Sequence, residues 1–138
     1  EPYDAANKRH VCVRGEDWMR INEQTAVIGD SPRRVLWAHP RTGAPLHIRL
    51  ANVEGGKELV VQTGFLIPAQ TLPGGAPVYV DVLADGRVLG RIIQENRDGW
   101  FTHRFPLGGA PQGTHEIELV ISTPNDGRRH FVFDAFAY

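Results

Sequence analysis

The sequence predicts an all-β protein, an antiparallel two-sheet β-sandwich of the jelly-roll type. Short runs rich in Val, Ile and Leu recur along the chain, and 15 glycines and 10 prolines lie between them. No stretch sustains the i, i+3, i+4, i+7 spacing of an amphipathic helix. Short strands joined by turns bury their apolar faces when two sheets pack against each other.

Four segments alternate apolar and polar residues most clearly and are predicted to form strands or hairpins: PLHIRLANV (45–53), VYVDVLADGRVLGRIIQ (78–94), THEIELVIS (114–122) and HFVFDAFAY (130–138). Asp85-Gly86 lies between two apolar runs, which is typical of a two-residue hairpin because type I′ turns need positive φ. The inward faces of the last two segments are expected to share one core: Ile117, Leu119, Ile121, Phe131 and Phe133.

Five weaker segments raise the expected number of strands to nine or ten: HVCVR (10–14), TAVIG (25–29), RVLWAHP (34–40), KELVVQTGFL (57–66) and WFTHRFPL (100–107). EDWMRINEQ (16–24) is expected to hold a single helical turn at most. The Gly- and Pro-rich segments 68–77 and 107–113 are too short to separate domains. Residues 1–138 are therefore predicted to form a single β-sandwich domain.

Composition argues against several classes of protein. The formal net charge of −1 is unlike that of a general binder of nucleic acid or anionic membranes. No apolar run approaches the ~20 residues that cross a bilayer, so no direct membrane insertion is expected. The one cysteine, Cys12, cannot form an internal disulfide, and its apolar surroundings favour a small hydrophobe over a catalytic thiol.

Motifs for catalysis and for transition metals are absent from the sequence. It contains no G-x-S-x-G, no H-E-x-x-H and no G-x-x-x-x-G-K-[ST] motif. The six histidines are scattered singly, whereas transition-metal sites normally show at least one close pair of ligands. The sequence therefore predicts a non-catalytic protein whose histidines are solvated or hydrogen-bonded groups.

Trp100 follows a turn-rich segment and is a candidate for sugar binding. The C–H face of a sugar stacks on an aromatic ring, and nearby Asn96 and Asp98 supply partners for hydroxyl groups. The alternative is a core tryptophan that caps the sandwich beside an ordinary loop; it is favoured for Trp100 and more strongly for Trp37.

The segment NDGRRH (125–130) is the second candidate site. Asn125-Asp126-Gly127 predicts a turn, after which Arg128, Arg129 and His130 are expected to begin the final strand. Successive residues of a strand point to opposite faces, so one arginine must turn inward.

The inward arginine needs a carboxylate or carbonyl partner, for which Glu95 and Asp98 are candidates. The other arginine and His130 would meet an anionic ligand such as a uronic acid or an acidic protein. The alternative is a solvated strand edge that discourages aggregation.

Residues 45–138 combine these features in a fixed order. An alternating strand and an apolar strand precede the D-G hairpin, Gly99-Trp100 leads into FTHRFPLGG, and EIELVIST and NDGRRHFVFDAFAY close the series. This order resembles the galactose-binding-like jelly-roll domains, the superfamily that includes discoidin domains and many carbohydrate-binding modules.

The resemblance implies an accessory recognition module of an exported or surface-associated bacterial protein, located outside the cytoplasm. Its ligand would be a glycan; the alternative is a structural or protein-interaction domain with a partner protein instead. It also implies a structural calcium ion, as the only cofactor, at Asp134 of the final strand, with Glu16, Asp17 or Glu23 as further ligands.

Overall fold

The computed structural model describes residues 3–4, 6, 9–11, 20–66, 69, 73–109 and 113–138. These residues form eleven strands: β1 (Tyr3–Asp4), β2 (Arg9–Val11), β3 (Arg20–Ile28), β4 (Ser31–Ala38), β5 (Leu46–Glu54), β6 (Glu58–Phe65), β7 (Val78–Ala84), β8 (Arg87–Gln94), β9 (Phe101–Pro106), β10 (Thr114–Ser122) and β11 (Phe131–Ala137). None of the described residues belongs to a helix long and apolar enough to span a membrane. Cys12, Glu16, Asp17 and Trp18 lie outside the described residues.

The strands form two antiparallel sheets. The larger sheet has the order β1-β2-β3-β4-β11-β6-β9, and the smaller has the order β5-β10-β7-β8. From β4 onward the chain crosses between the sheets repeatedly, so the connections gather at the two ends of a sandwich. The predicted all-β sandwich is confirmed.

The main core lies between the two sheets and contains all five residues expected there. Phe131 has no exposed surface. Its ring contacts Phe65 edge-on, with centroids 6.0 Å apart, and stacks on Phe133 at 5.7 Å. Alternation along β10 and β11 therefore placed the core residues correctly.

The Asp85-Gly86 hairpin between β7 and β8 is also confirmed. Both residues have left-handed backbone angles, with φ of 50° and 78°. No atom lies within 4 Å of a Cβ built on Gly86, so only backbone conformation restricts this position.

The segment 16–24 differs from the expectation, because Arg20–Gln24 belongs to β3 rather than to a helical turn. β3 pairs with β4 along its whole length, from Ile21 opposite Ala38 to Ile28 opposite Ser31. The polar run 22–25 made the first half of this strand hard to recognise, since it separates Ile21 from the apolar residues 26–28.

The β3–β4 hairpin folds across the outer face of the larger sheet. β4 pairs with β11 only over Leu36–Ala38. Ile28, at the hairpin tip, instead lies over Gly64 of β6. A Cβ atom placed on Gly64 would come within 2.6 Å of the Cδ1 atom of Ile28. Trp100 Nε1 donates a hydrogen bond to the carbonyl of Ser31 at 3.2 Å.

A second apolar cluster forms under this hairpin. Its buried members are Ala26, Ile28, Val35, Trp37 and Val132, and Leu66 and Trp100 pack against them. Trp37 is thus a core residue, as expected, but in the outer cluster rather than between the sheets.

We expect Phe131→Ala to lower the free energy of unfolding by about 3–5 kcal/mol, because burial is lost and a cavity remains. Phe136→Ala is the matched control on the same strand, since Phe136 is 48% exposed. Urea denaturation of both variants measures the difference. Equal losses would contradict the assignment of the two faces of β11.

Gly86→Val should destabilise the protein by at least about 1 kcal/mol, since a β-branched residue tolerates left-handed φ poorly. Gly86→Asn is the control, because asparagine enters this region more readily. The hairpin assignment is wrong if urea denaturation shows valine and asparagine to be equally well tolerated.

Candidate functional site

Four connections begin and end at one end of the sandwich, namely those that follow β4, β6, β8 and β10. Thr42 and Asp126 exchange hydrogen bonds of 3.0 Å, each backbone N–H donating to the other's side chain. The backbone N–H of Leu66 donates to the carbonyl of His130 at 3.0 Å. The segments 95–100 and 125–130, which the sequence predicted as site segments, are also neighbours, since Arg129 donates a hydrogen bond to Asn96.

Arg129 holds this end together. Its side chain is fully buried. Nη1 donates to the carbonyl of Ala76 and to Oδ1 of Asn96, both at 3.0 Å. Nη2 donates to the carbonyl of Ala69 at 3.1 Å, and Nε to that of Gly127 at 3.3 Å. One guanidinium thus joins three of the four connections.

The surroundings of Arg129 are shaped to the guanidinium plane. Its Cζ lies 4.7 Å from the ring centroid of Phe65, a cation–π geometry. A Cβ on Gly75 would overlap with the guanidinium. Glu95 and Asp98, the candidate carboxylate partners, do not bind it; carbonyls and an amide oxygen do so instead.

The expectation that the final strand begins at Arg128 is wrong, since β11 begins at Phe131. The predicted turn extends further than expected. Gly127 N–H donates to Oδ1 of Asn125 at 3.0 Å, and Arg128 has a left-handed φ of 52°. Arg128 is exposed while Arg129 is buried, so the two side chains diverge as expected, but because of a turn rather than strand alternation.

His130 forms an aromatic group with His39 and Trp37 beside this turn. The two imidazoles are nearly perpendicular, with centroids 5.4 Å apart, and His130 lies 5.9 Å from Trp37. His39 Nδ1 is 3.2 Å from the carbonyl of Pro40. We call these two half-buried imidazoles the histidine pair.

Burial and nearby positive charge favour the neutral form of the histidine pair. Burial lowers the pKa of His130, and Arg129 and Arg128 lower it further. Burial also lowers the pKa of His39, with a further contribution from His130. Both rings are therefore neutral at pH 7, and each carries one donor and one acceptor nitrogen, the donor of His39 being directed at the Pro40 carbonyl.

The structure does not bring all of the predicted site residues together. Asn96 accepts a hydrogen bond from Arg129, and Arg128 and His130 are the sequence neighbours of Arg129. Asp98 is exposed, and within the described part of the chain it forms no hydrogen bond or ion pair with these residues. Trp100 flanks β9, two strand spacings or roughly 10 Å from β11.

The half-buried ring of Trp100 already has several contacts in the protein. The Arg33 guanidinium lies over it, with Cζ 5.1 Å from the centroid, and the ring packs over Gly64. These contacts account for the position of Trp100 without a ligand. Its role as a stacking platform stays a prediction.

Asp134 does not meet a calcium-like set of ligands among the described residues, where no group of three or more His, Cys, Asp or Glu side chains is placed to hold a metal ion. Its Oδ1 atom is buried and has no hydrogen-bond partner among the described residues. Burial raises the pKa of Asp134, which the Arg33 charge opposes. Glu23 binds Arg34, and Glu16 and Asp17 lie outside the described residues, so calcium binding stays a prediction.

Sequence reasoning missed His39 and Trp37 as neighbours of His130. A usable signal was present, because Trp37 and His39 are two residues apart and such residues point to the same face of a strand. Their contact with His130 depends on the pairing of β4 with β11, which the sequence did not indicate.

No protein-family model and no curated protein matches the sequence. Among solved structures, the CBM51-2 and INT domains of Clostridium perfringens ZmpB are similar, with TM-score 0.53 and 16% identity over 80% of this chain and 24% of that chain. This chain thus spans about a quarter of the ZmpB structure.

Two further solved structures are similar over most of both chains. The CBM51 of Clostridium perfringens GH95, in complex with methyl-galactose, gives TM-score 0.50 and 16% identity over 81% of this chain and 77% of that chain. The Stig cyclase Fisc of Fischerella sp. TAU gives TM-score 0.51 and 16% identity over 96% of this chain and 84% of that chain. The likeness confirms the jelly-roll β-sandwich fold.

We expect Arg129→Met to lower the free energy of unfolding by about 3–5 kcal/mol, because it leaves buried acceptors without donors. Arg128→Met is the matched control, with an expected change within about 0.5 kcal/mol at an exposed site. Urea denaturation compares the two variants. Similar losses in both would show that net charge, rather than the buried contacts, determines the effect.

The histidine pair should make stability depend on pH. Because the folded-state pKa values lie below the unfolded value of about 6.5, the unfolded state binds more protons between these values. Stability is therefore complete above about pH 6.5 and is lost as pH falls through the lowered pKa values.

Thermal melting of the wild type and of His39→Gln/His130→Gln from pH 8 to 5 measures this slope. The double variant should lose part of this pH dependence. Burial also lowers the pKa of His103, but His103 contributes equally to both proteins. Parallel curves for the two proteins would refute the assignment to the histidine pair.

Proposed function

We propose that the protein is a non-catalytic recognition module that binds a carbohydrate at the loop end of the sandwich. One observation carries this proposal: exposed Arg128 and His130 flank buried Arg129, which bonds their connection to two others, and the His130 ring packs against His39. Loops held by a rigid sandwich are a common place for recognition. A site that is already ordered loses less conformational entropy when a ligand binds.

The chemistry of these groups fits a sugar with an acidic substituent. A neutral imidazole can donate to one hydroxyl group and accept from another. Arg128 adds a permanent positive charge that can form two parallel hydrogen bonds with a carboxylate. A uronic acid combines both features, and Trp100 and Asp98 would contact further sugar units along the outer face.

Two similar structures support the choice of ligand class. The ZmpB module has been solved in complex with GlcNAc, and the GH95 module in complex with methyl-galactose. The Stig cyclase shows that the same fold also occurs in a protein named as a cyclase. The absence of catalytic motifs from the sequence supports recognition without catalysis.

The same resemblance supports the expected setting. We propose that the chain serves as an accessory domain of an exported or surface-associated bacterial protein. A structural calcium ion, if bound, would accompany this role and would need ligands beyond Asp134.

A glycan array that contains uronic-acid and neutral glycans, probed with and without calcium, tests the proposal. We expect binding to acidic glycans, and at least tenfold weaker binding for Arg128→Ala and for His130→Ala. Arg87→Ala is the matched control, since Arg87 lies at the opposite end and bonds to the carbonyl of Leu107. Binding to no glycan, or equal binding by all variants, would overturn the proposal.

A further inference from the structure

A groove runs along the open side of the sandwich, beside β5. Its largest part is a cavity of about 500 Å³. Five consecutive residues, 46–50, line it. Side chains of a strand alternate between faces, so consecutive lining residues mean that the edge of β5 itself forms one wall. Ile21 and Leu36, of β3 and β4, lie across from it.

The β3–β4 hairpin explains why this side is open. Among the described strands, β5 lies at a sheet edge and pairs with β10 alone. The neighbouring β4 leaves β11 beyond Leu36 because the hairpin folds over the outer face. The gap between the sheets therefore continues past Leu36 into a second cavity of about 310 Å³, which Phe133 and Asp134 line.

The groove combines an apolar floor with a positively charged rim. Ile21, Leu36, Leu46 and Leu50 pack against the main core and remain partly exposed. Arg34, Arg41 and Arg49 line the cavities, against two carboxylates, Glu23 and Asp134.

Among the described residues, neither carboxylate forms an ion pair with Arg49. Glu23 already binds Arg34, with Oε2 and Nη2 2.9 Å apart. Burial raises the pKa of Asp134. Arg49 is exposed and forms no hydrogen bond or ion pair with any residue of the described part of the chain.

We propose that this groove binds an extended acidic peptide of a partner protein, which adds to the edge of β5 as a new strand. An edge strand offers unpaired N–H and C=O groups to such a segment, and alternate side chains of the peptide reach the groove floor. Five residues of β5 span roughly 16 Å, enough to pair with about five peptide residues. An acidic side chain of the peptide would meet Arg49.

A display library of random 12-residue peptides, selected on the immobilised protein, supplies the probe. We expect enrichment of peptides in which apolar and acidic residues alternate. A synthetic peptide from this set should shift the amide resonances of residues 46–54 in NMR spectra. Arg49→Glu should weaken its binding at least tenfold, whereas Arg128→Glu at the loop end should leave binding unchanged.

Three outcomes would overturn the proposal. The first is that the selection enriches no peptide. The second is that the selected peptides bind equally to Arg49→Glu and to the wild type, while circular dichroism confirms that both proteins are folded. The third is a shift of the same amides by tri-galacturonate in place of peptide, which would assign the groove to a glycan. Loss of glycan binding in Arg128 variants tests the loop end separately.

Discussion

The guanidinium of Arg129 carries a full charge, yet it has no exposed surface. Removing a charge from water is costly unless hydrogen bonds replace the lost hydration. Here four acceptors do so, and they come from residues 69, 76, 96 and 127 of three different connections. Because each acceptor must lie in the guanidinium plane, the positions of these loops depend on one another.

Lysine could not replace this arrangement, since an ammonium group lacks the planar fork that reaches several acceptors in fixed directions. Glycine is needed at position 75 as well, because any side chain there would occupy the space of the guanidinium. The cation–π contact with Phe65 links the polar network to the main core. The loop end is thus an extension of the core rather than a set of independent turns.

The β3–β4 hairpin has two consequences for the accessible surface. It covers Trp37 and part of Trp100 by packing Ile28 over Gly64. By leaving β11 it also opens the groove beside β5. The two proposed surfaces therefore differ in chemistry: neutral imidazoles and Arg128 suit hydroxyl and carboxylate groups of a sugar, whereas a strand edge with arginines suits an acidic peptide.

The sequence by itself determined the fold class, the D-G hairpin and the faces of β10 and β11, because these depend on local alternation and turn chemistry. It also predicted that Arg128 and Arg129 would diverge and that one would turn inward. It could not identify the partners of Arg129, since Ala69, Ala76 and Asn96 lie 60, 53 and 33 residues away in the chain. Backbone carbonyls leave no signature in a sequence, so only the tertiary structure decided which arginine is buried, which tryptophans are covered and where the groove opens.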